Sequence, residues 1–336
     1  MKLLSRLSLC GAVMAFIVIV LGAWVRLSDA GLGCPDWPGC YGTITVPQGE
    51  EIAAANEAYP ERPVEIVKAW KEMIHRYVAA LLGLLIIGMV LLSWRHRQEG
   101  APLGLAVALL ALVIFQGMLG MWTVTLLVKP AVVTAHLFGG LTTLSLLWIF
   151  YLRNSRAERP SVPGSDANTQ LQRTRPVLWL ALVVLAGQIF LGGWTSTNYA
   201  ALSCPDFPTC QGQWWPAMNF DDAFQIWRGV GVDYEGGVLA NESRVAIHIS
   251  HRIGAIIATL VIALAAFAVI KRADQRRDAA LGRMLLGVLA LQVGLGISNI
   301  VFHLPLSVAT AHNGGAALLV VTLVTLLYRA RRQSGA

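Results

Sequence analysis

Long apolar runs alternate with polar stretches along this chain, and the alternation is repeated eight times. The runs lie near 7–27, 73–93, 103–126, 132–152, 177–197, 246–270, 284–302 and 308–328. Each is long enough to cross ~30 Å of hydrocarbon at about 1.5 Å per residue. Each is expected as a helix, because lipid offers no partners to an open backbone. The pattern predicts an all-α integral membrane protein with eight transmembrane helices. The first run, behind Lys2 and Arg6, has the layout of a signal peptide. It has a counterpart later in the chain, described below, and is read as a true span.

Composition supports that reading. Of 336 residues 56% are hydrophobic and only 13% charged, against about 25% charged in a soluble domain. A soluble globular enzyme and a disordered chain are excluded, and five cysteines are too few for a disulfide-rich secreted scaffold. The net charge is +7, but membrane topology accounts for it and a nucleic-acid groove does not. With the N-terminus inside, segments 1–6, 94–101, 153–176, 271–283 and 328–336 hold 17 Lys/Arg and 5 Asp/Glu. The outer segments hold 5 Lys/Arg and 14 Asp/Glu. Positive charge marks the cytoplasmic side, so both termini are expected in the cytoplasm and the loops 28–72 and 198–245 outside. The expected location is a bacterial-type plasma (inner) membrane.

The chain contains itself twice. Cys34-Pro35-Asp36-Trp37-Pro38-x-Cys40 returns 170 residues later as Cys204-Pro205-Asp206-Phe207-Pro208-x-Cys210, and Leu21-Gly22-x-Trp24 as Leu191-Gly192-x-Trp194. His75-Arg76, Gln116 and Ala135-His136-x-x-Gly139 return 176 residues later as His251-Arg252, Gln292 and Ala311-His312-x-x-Gly315. The six-residue change falls in the outer loop, where insertions are cheap. The expected architecture is two tandem four-helix bundles, 1–152 and 177–336, joined by a cytoplasmic linker at 153–176. Four spans per copy is an even number, so the copies are expected to share a pseudo-two-fold axis along the membrane normal.

Histidine carries the informative chemistry. His75 and His251 open the second span of each copy, and His136 and His312 open the fourth. A lone histidine there would be a polar packing residue; two per copy at matching positions point to ligation. One histidine from each of two facing helices suits axial ligation of a haem iron. A zinc ion would want three or four clustered ligands, which neither copy offers. Gly139, Gly140, Gly254, Gly314 and Gly315 give the room that a flat macrocycle needs. Arg76 and Arg252 are placed either to pair with haem propionates or to snorkel to the interface. Glu72 stands three residues before His75, where the second copy has His248. A carboxylate beside one site only would split the roles of the two sites, by handling protons or steadying a cation. Its plainer reading is a solvated residue of an acidic loop. Cys34 with Cys40, and Cys204 with Cys210, read as disulfide staples or as redox-active dithiols. Cys10 reads as a small packed residue of the first span, His96 as cytoplasmic surface, and His303 has a weaker claim.

These residues resemble the haem A synthase family, membrane enzymes that make haem A from haem O. The resemblance spans essentially the whole chain: eight spans in two copies, Glu72-x-x-His75, the three later histidines, and the first cysteine pair. It implies that the first copy, with His75 and His136, holds substrate haem O and that Glu72 assists catalysis. It implies that the second copy, with His251 and His312, holds a permanent haem b. The implied reaction converts the C8 methyl of haem O into a formyl group by successive hydroxylations. It further implies an electron acceptor, and substrate handover from the haem O-producing farnesyltransferase; a homo-oligomer is also compatible. No nucleic-acid partner is expected.

Three other readings compete. A bis-histidine diheme cytochrome carrying electrons between quinol and a partner would show the same ligands, but gives no reason for the Glu72/His248 difference. A transporter would want acidic coupling groups, which the eight spans as drawn lack. A quinone-linked thiol oxidase would depend on Cys34 and Cys40 rather than on His136.

Overall fold

In a computed structural model that describes residues 2–155, 169–229, 231–273 and 275–331, the chain is helical, and eight of the helices are long and apolar enough to span a membrane. The first copy contributes α1 (Lys2–Leu27), the short α2 (Glu51–Ala58), α3 (Ile66–Arg95), α4 (Leu103–Thr125) and α5 (Pro130–Asn154). After α6 (Thr169–Gln172), the second contributes α7 (Arg175–Thr197), the short α8 (Phe220–Ala223), α9 (Asn241–Arg272), α10 (Arg276–Val301) and α11 (Leu306–Arg329).

Seven of the eight long helices begin before their apolar runs, and three of them do so with acidic residues in the added turns. α3 starts at Ile66, α9 at Asn241 and α10 at Arg276, rather than near 73, 246 and 284. The added turns are amphipathic, so their charges hide them from a search for continuous apolarity. At the head of α3, Ala69 and Met73 are fully buried under the first cysteine loop while Lys68 keeps to the outer side and pairs with Glu65. The extensions also bring Glu72, Glu242 and Asp278 into the long helices. The expectation of spans free of acidic residues is thereby corrected. Cys10 is corrected too: it is exposed on the outside of α1 rather than packed within the bundle.

Each bundle has the same adjacency. α1 and α4 both pack on α3 and α5, and α7 and α10 both pack on α9 and α11. The histidine-bearing helices α3 and α5, and likewise α9 and α11, therefore stand diagonally across their bundles. The bundles meet along α1–α11, α5–α11 and α5–α7, through one continuous apolar core that includes Phe150, Leu178, Ile262 and Leu323. Trp148 Nε1 donates to Thr325 Oγ1 across this seam at 2.7 Å. α11 is the most enclosed helix, with 56% of its apolar window buried against 17–28% for the others. Elsewhere large apolar side chains point outward, such as Leu81, Leu84 and Leu91 on α3 and Leu260, Leu264 and Phe267 on α9. Such stripes on helices of this length suit a lipid solvent. Of the expected linker, 156–168 lies outside the described residues; its end is packed, with Leu171 and Thr174 buried.

The repeat is visible in the backbone. The four-residue connections 126–129 and 302–305 each use two consecutive residues of positive φ, Leu127 and Val128 in one, His303 and Leu304 in the other. His303 is thus a turn residue. Each cysteine loop carries a cis X-Pro bond, Trp37-Pro38 and Phe207-Pro208, and an isolated bridge, Cys40 to Thr43 and Cys210 to Gln213. Asp36 and Asp206 close the two loops identically, accepting from the N–H of Tyr41 and Gly42 and from that of Gln211 and Gly212.

Polar contacts join the copies above the helix ends. Arg62 reaches both Asp233 and Glu235. Arg26 donates to Ser196 O at 2.7 Å and lies 4.2 Å over the Tyr199 ring. Lys129 donates to Gly229 O and stacks on Trp227. Within the second loop, Asp222 accepts from Ser243 Oγ at 2.7 Å and pairs with Arg228 at 2.6 Å. The Ser243 hydroxyl first, and Arg228 after it, hold the Asp222 carboxyl below the usual aspartate range. That stabilisation is complete above the unfolded-chain aspartate value of about 3.9 and is lost as pH falls through the depressed folded value. The protection factors of amides over 219–228, taken against the intrinsic exchange rate at each pH, are expected to fall on acidification in this range, and Asp222→Asn to remove the dependence. A variant that kept the wild-type pH profile would exclude Asp222 as its source.

Candidate functional site: paired histidines beneath two cysteine loops

α3 brings Glu72, His75 and Arg76 onto successive turns at the loop-bearing end of the first bundle. Glu72 is buried, with 5% exposure, which excludes the solvated reading. Its Oε2 accepts from Cys34 N–H at 2.9 Å and its Oε1 from Arg76 Nη2 at 2.6 Å. Arg76 Nη1 donates in turn to the carbonyls of Asp36, Pro38 and Gly39. The carboxylate and the guanidinium together clamp the loop onto α3. Cys34 and Cys40 are joined in a disulfide, as are Cys204 and Cys210, and all four are buried.

In the second copy Arg252 repeats the clamp without the carboxylate. It donates to the carbonyls of Cys204, Asp206 and Thr209 at 3.0, 2.8 and 2.7 Å. His248, at the position of Glu72, is 4% exposed and its Nδ1 has no partner. In this structure both arginines bind loop carbonyls rather than snorkel to an interface. The sequence offered no sign of this, because those carbonyls lie 37–48 residues away and carry no side-chain signature.

All four paired histidines are half-buried and lie against a glycine of a neighbouring helix. A Cβ on Gly22 would stand 3.1 Å from the His75 ring, on Gly192 3.2 Å from His251, on Gly296 3.1 Å from His312 and on Gly120 3.7 Å from His136. The glycines let each imidazole approach the facing backbone. His75 interacts electrostatically with His136, and His251 with His312. Nδ1 of His75, His136 and His312 is buried without a partner.

Three of the five glycines that follow the histidines have a further role. Gly139, Gly254 and Gly315 make room for glutamine amides: a Cβ on any of the three would overlap Oε1 of Gln116, Gln188 or Gln292 respectively. Gln116 Nε2 donates to His136 O at 2.9 Å, and Gln292 Nε2 lies 3.3 Å from His312 Nε2. Gln188 Nε2 lies 3.0 Å from His251 Nδ1 and 3.1 Å from His251 O. Gln188 has no counterpart in the other copy, so the repeat did not single it out.

Among the described residues no three His, Cys, Asp or Glu side chains gather into a metal-ion cluster. The donor set is therefore unlike a zinc site, which takes three or four such ligands. It fits a haem, whose iron already has four nitrogens and takes one histidine from each side. Two facing imidazoles per bundle, each with an unengaged ring nitrogen and backed by glycine, meet that need.

Residues 5–324 match the COX15-CtaA family model, described as cytochrome oxidase assembly protein. The haem A synthase of Shewanella oneidensis is 49% identical over 317 residues, covering 94% of this chain and 93% of the relative. The haem A synthase of Caulobacter sp. (strain K31) is 28% identical, with 96% and 94% covered, and that of Halalkalibacterium halodurans 25% identical, with 97% and 94% covered. An eight-span helical chain that matches this family over nearly its whole length belongs to it: the protein is a member of the COX15-CtaA family of cytochrome oxidase assembly proteins.

Proposed function

We propose that this protein is a haem A synthase that takes haem O as substrate and oxidises its C8 methyl to a formyl group by successive hydroxylations, supplying the cofactor of terminal oxidases. The observation that carries the reading is the pairing of histidines across both bundles with a carboxylate beside one pair only. His75 and His136 would hold the substrate and fix its orientation within the first bundle. With water as the oxygen source, conversion of the methyl to a formyl group releases four protons and four electrons; Glu72, one turn from His75, takes up protons, and the electrons leave to an external electron acceptor. Arg76 holds Glu72 in place and keeps the cysteine loop closed over the helix ends. His251 and His312 hold a haem b in the second bundle, where His248 replaces the carboxylate. When bound there, that haem supplies a one-electron relay. The macrocycle and its isoprenoid tail are apolar, so the substrate enters from the lipid side, and the loop-bearing end faces away from the cytoplasm.

The test is haem extraction and chromatography from membranes containing the protein together with a haem O source. Wild type is expected to yield haem A and His136→Ala none. Two haem b per chain and no haem A in the wild type would overturn the proposal in favour of an electron-carrying cytochrome.

A further inference from the structure

The two copies differ at a second place, and there the difference is a matched pair. In both copies the histidine of the last helix is served by a glutamine seated over a glycine: Gln116 over Gly139, and Gln292 over Gly315. For the other histidine only the second copy has such a set, Gln188 over Gly254 beside His251. Shifted back by 170 and 176 residues, Gln188 and Gly254 become Val18 and Val78. The register is secure, because Gly22 backs His75 as Gly192 backs His251. Amide and seat are both present in one copy and both replaced by valine in the other. His75 Nδ1 is left buried and without a partner, while His251 Nδ1 has the Gln188 amide at 3.0 Å.

We infer that Gln188, seated by Gly254, is a positioning residue that makes His251 a permanent iron ligand, and that Val18 and Val78 leave His75 free to let a haem go. The inference rests on the proposed haem-holding role of the four histidines. A histidine bound to metal through one ring nitrogen is fixed and made more basic by a partner on the other. Gln188 carries a donor and an acceptor on one carboxamide. Its Oε1 is buried without a partner, and a half-turn of the amide presents that oxygen to a protonated Nδ1 at the expense of the Nε2 contact with His251 O. A resident haem profits from such a clamp. A substrate that must leave as product is hindered by it, and the first copy lacks it.

The test exchanges the pairs in the full-length protein, purified with haem b and without a haem O source. Retained haem per chain, the rate of haem loss to excess apomyoglobin, and the optical and electron-paramagnetic spectra are recorded. Gln188→Val with Gly254→Val recreates a pair the protein already packs, so the fold is expected to survive. Haem binding in the second copy should weaken by about 10–100-fold, the usual effect of losing the hydrogen-bond partner of a ligating histidine, with a shift away from the six-coordinate bis-histidine spectrum. Val18→Gln with Val78→Gly should do the reverse and add a second retained bis-histidine haem. Wild-type retention and spectrum in the first double variant, or an unchanged haem count in the second, would overturn the inference. His251→Ala separates the two levels: if it leaves haem content untouched, the haem-ligand reading itself fails.

Discussion

Glu72→Gln is expected to cut haem A formation by about 10²–10⁴-fold, the range that a positioned proton-transfer group contributes. Haem content and the loop disulfide should stay intact. The carboxylate is buried and accepts from Cys34 N–H on one oxygen and from Arg76 on the other. A glutamine of the same length keeps one acceptor and puts a donor where the other stood. The structural damage is then a single contact, whereas the ability to take up a proton vanishes. The ratio of haem A to haem O in extracted membranes, measured beside haem per chain, separates the two roles. If Glu72 serves only the clamp, haem A persists and the first loop loosens. If Glu72→His, which copies the second bundle, were fully active, the carboxylate would have no part in the chemistry.

Much of this arrangement is legible in the sequence, and the parts that are not share a cause. The eight spans stand out because lipid demands continuous apolarity and an internally satisfied backbone. The four histidines stand out because the repeat places each twice. What escapes is whatever a helix does after its side chains become amphipathic, and whatever a side chain does to a distant backbone. The head of α3 mixes Lys68 and Lys71 with the buried Ala69 and Met73, so no apolar run announces it. Arg76 and Arg252 look like interfacial cations until the loop carbonyls come to them. Gln188 is invisible to the repeat because it has no twin, and its meaning depends on Gly254, 66 positions away on another helix. Three of the glycines following the histidines, Gly139, Gly254 and Gly315, seat glutamine amides, a contact that no motif in the sequence announces.

The clamps themselves give the other large effect, because the same arginine has different company in the two copies. Arg76→Ala leaves Glu72 buried with its cation gone and only backbone N–H partners, Cys34 and Gly33. Removing one partner of a buried ion pair costs about 3–5 kcal/mol, and these side chains are only 13% and 7% exposed, so solvent offers little relief. Arg252→Ala strands carbonyl oxygens and no charge, and those of Asp206 and Thr209 sit where water can replace the guanidinium. Its cost is expected near 1–2 kcal/mol, roughly that of losing ordinary hydrogen bonds. Both disulfides are buried, so their reduction by a membrane-impermeant phosphine reports opening of each loop. Arg76→Ala should speed reduction of Cys34–Cys40 by about 10²- to 4 × 10³-fold, since each 1.4 kcal/mol is about tenfold. Arg252→Ala should speed that of Cys204–Cys210 by about tenfold or a little more, on the same scale. Adding Glu72→Gln to Arg76→Ala should slow the first loop again, because the stranded charge is what drives it open. Equal loosening of the two loops, or no recovery in the double variant, would mean that the carbonyl bonds alone hold the loops and that the buried pair adds nothing.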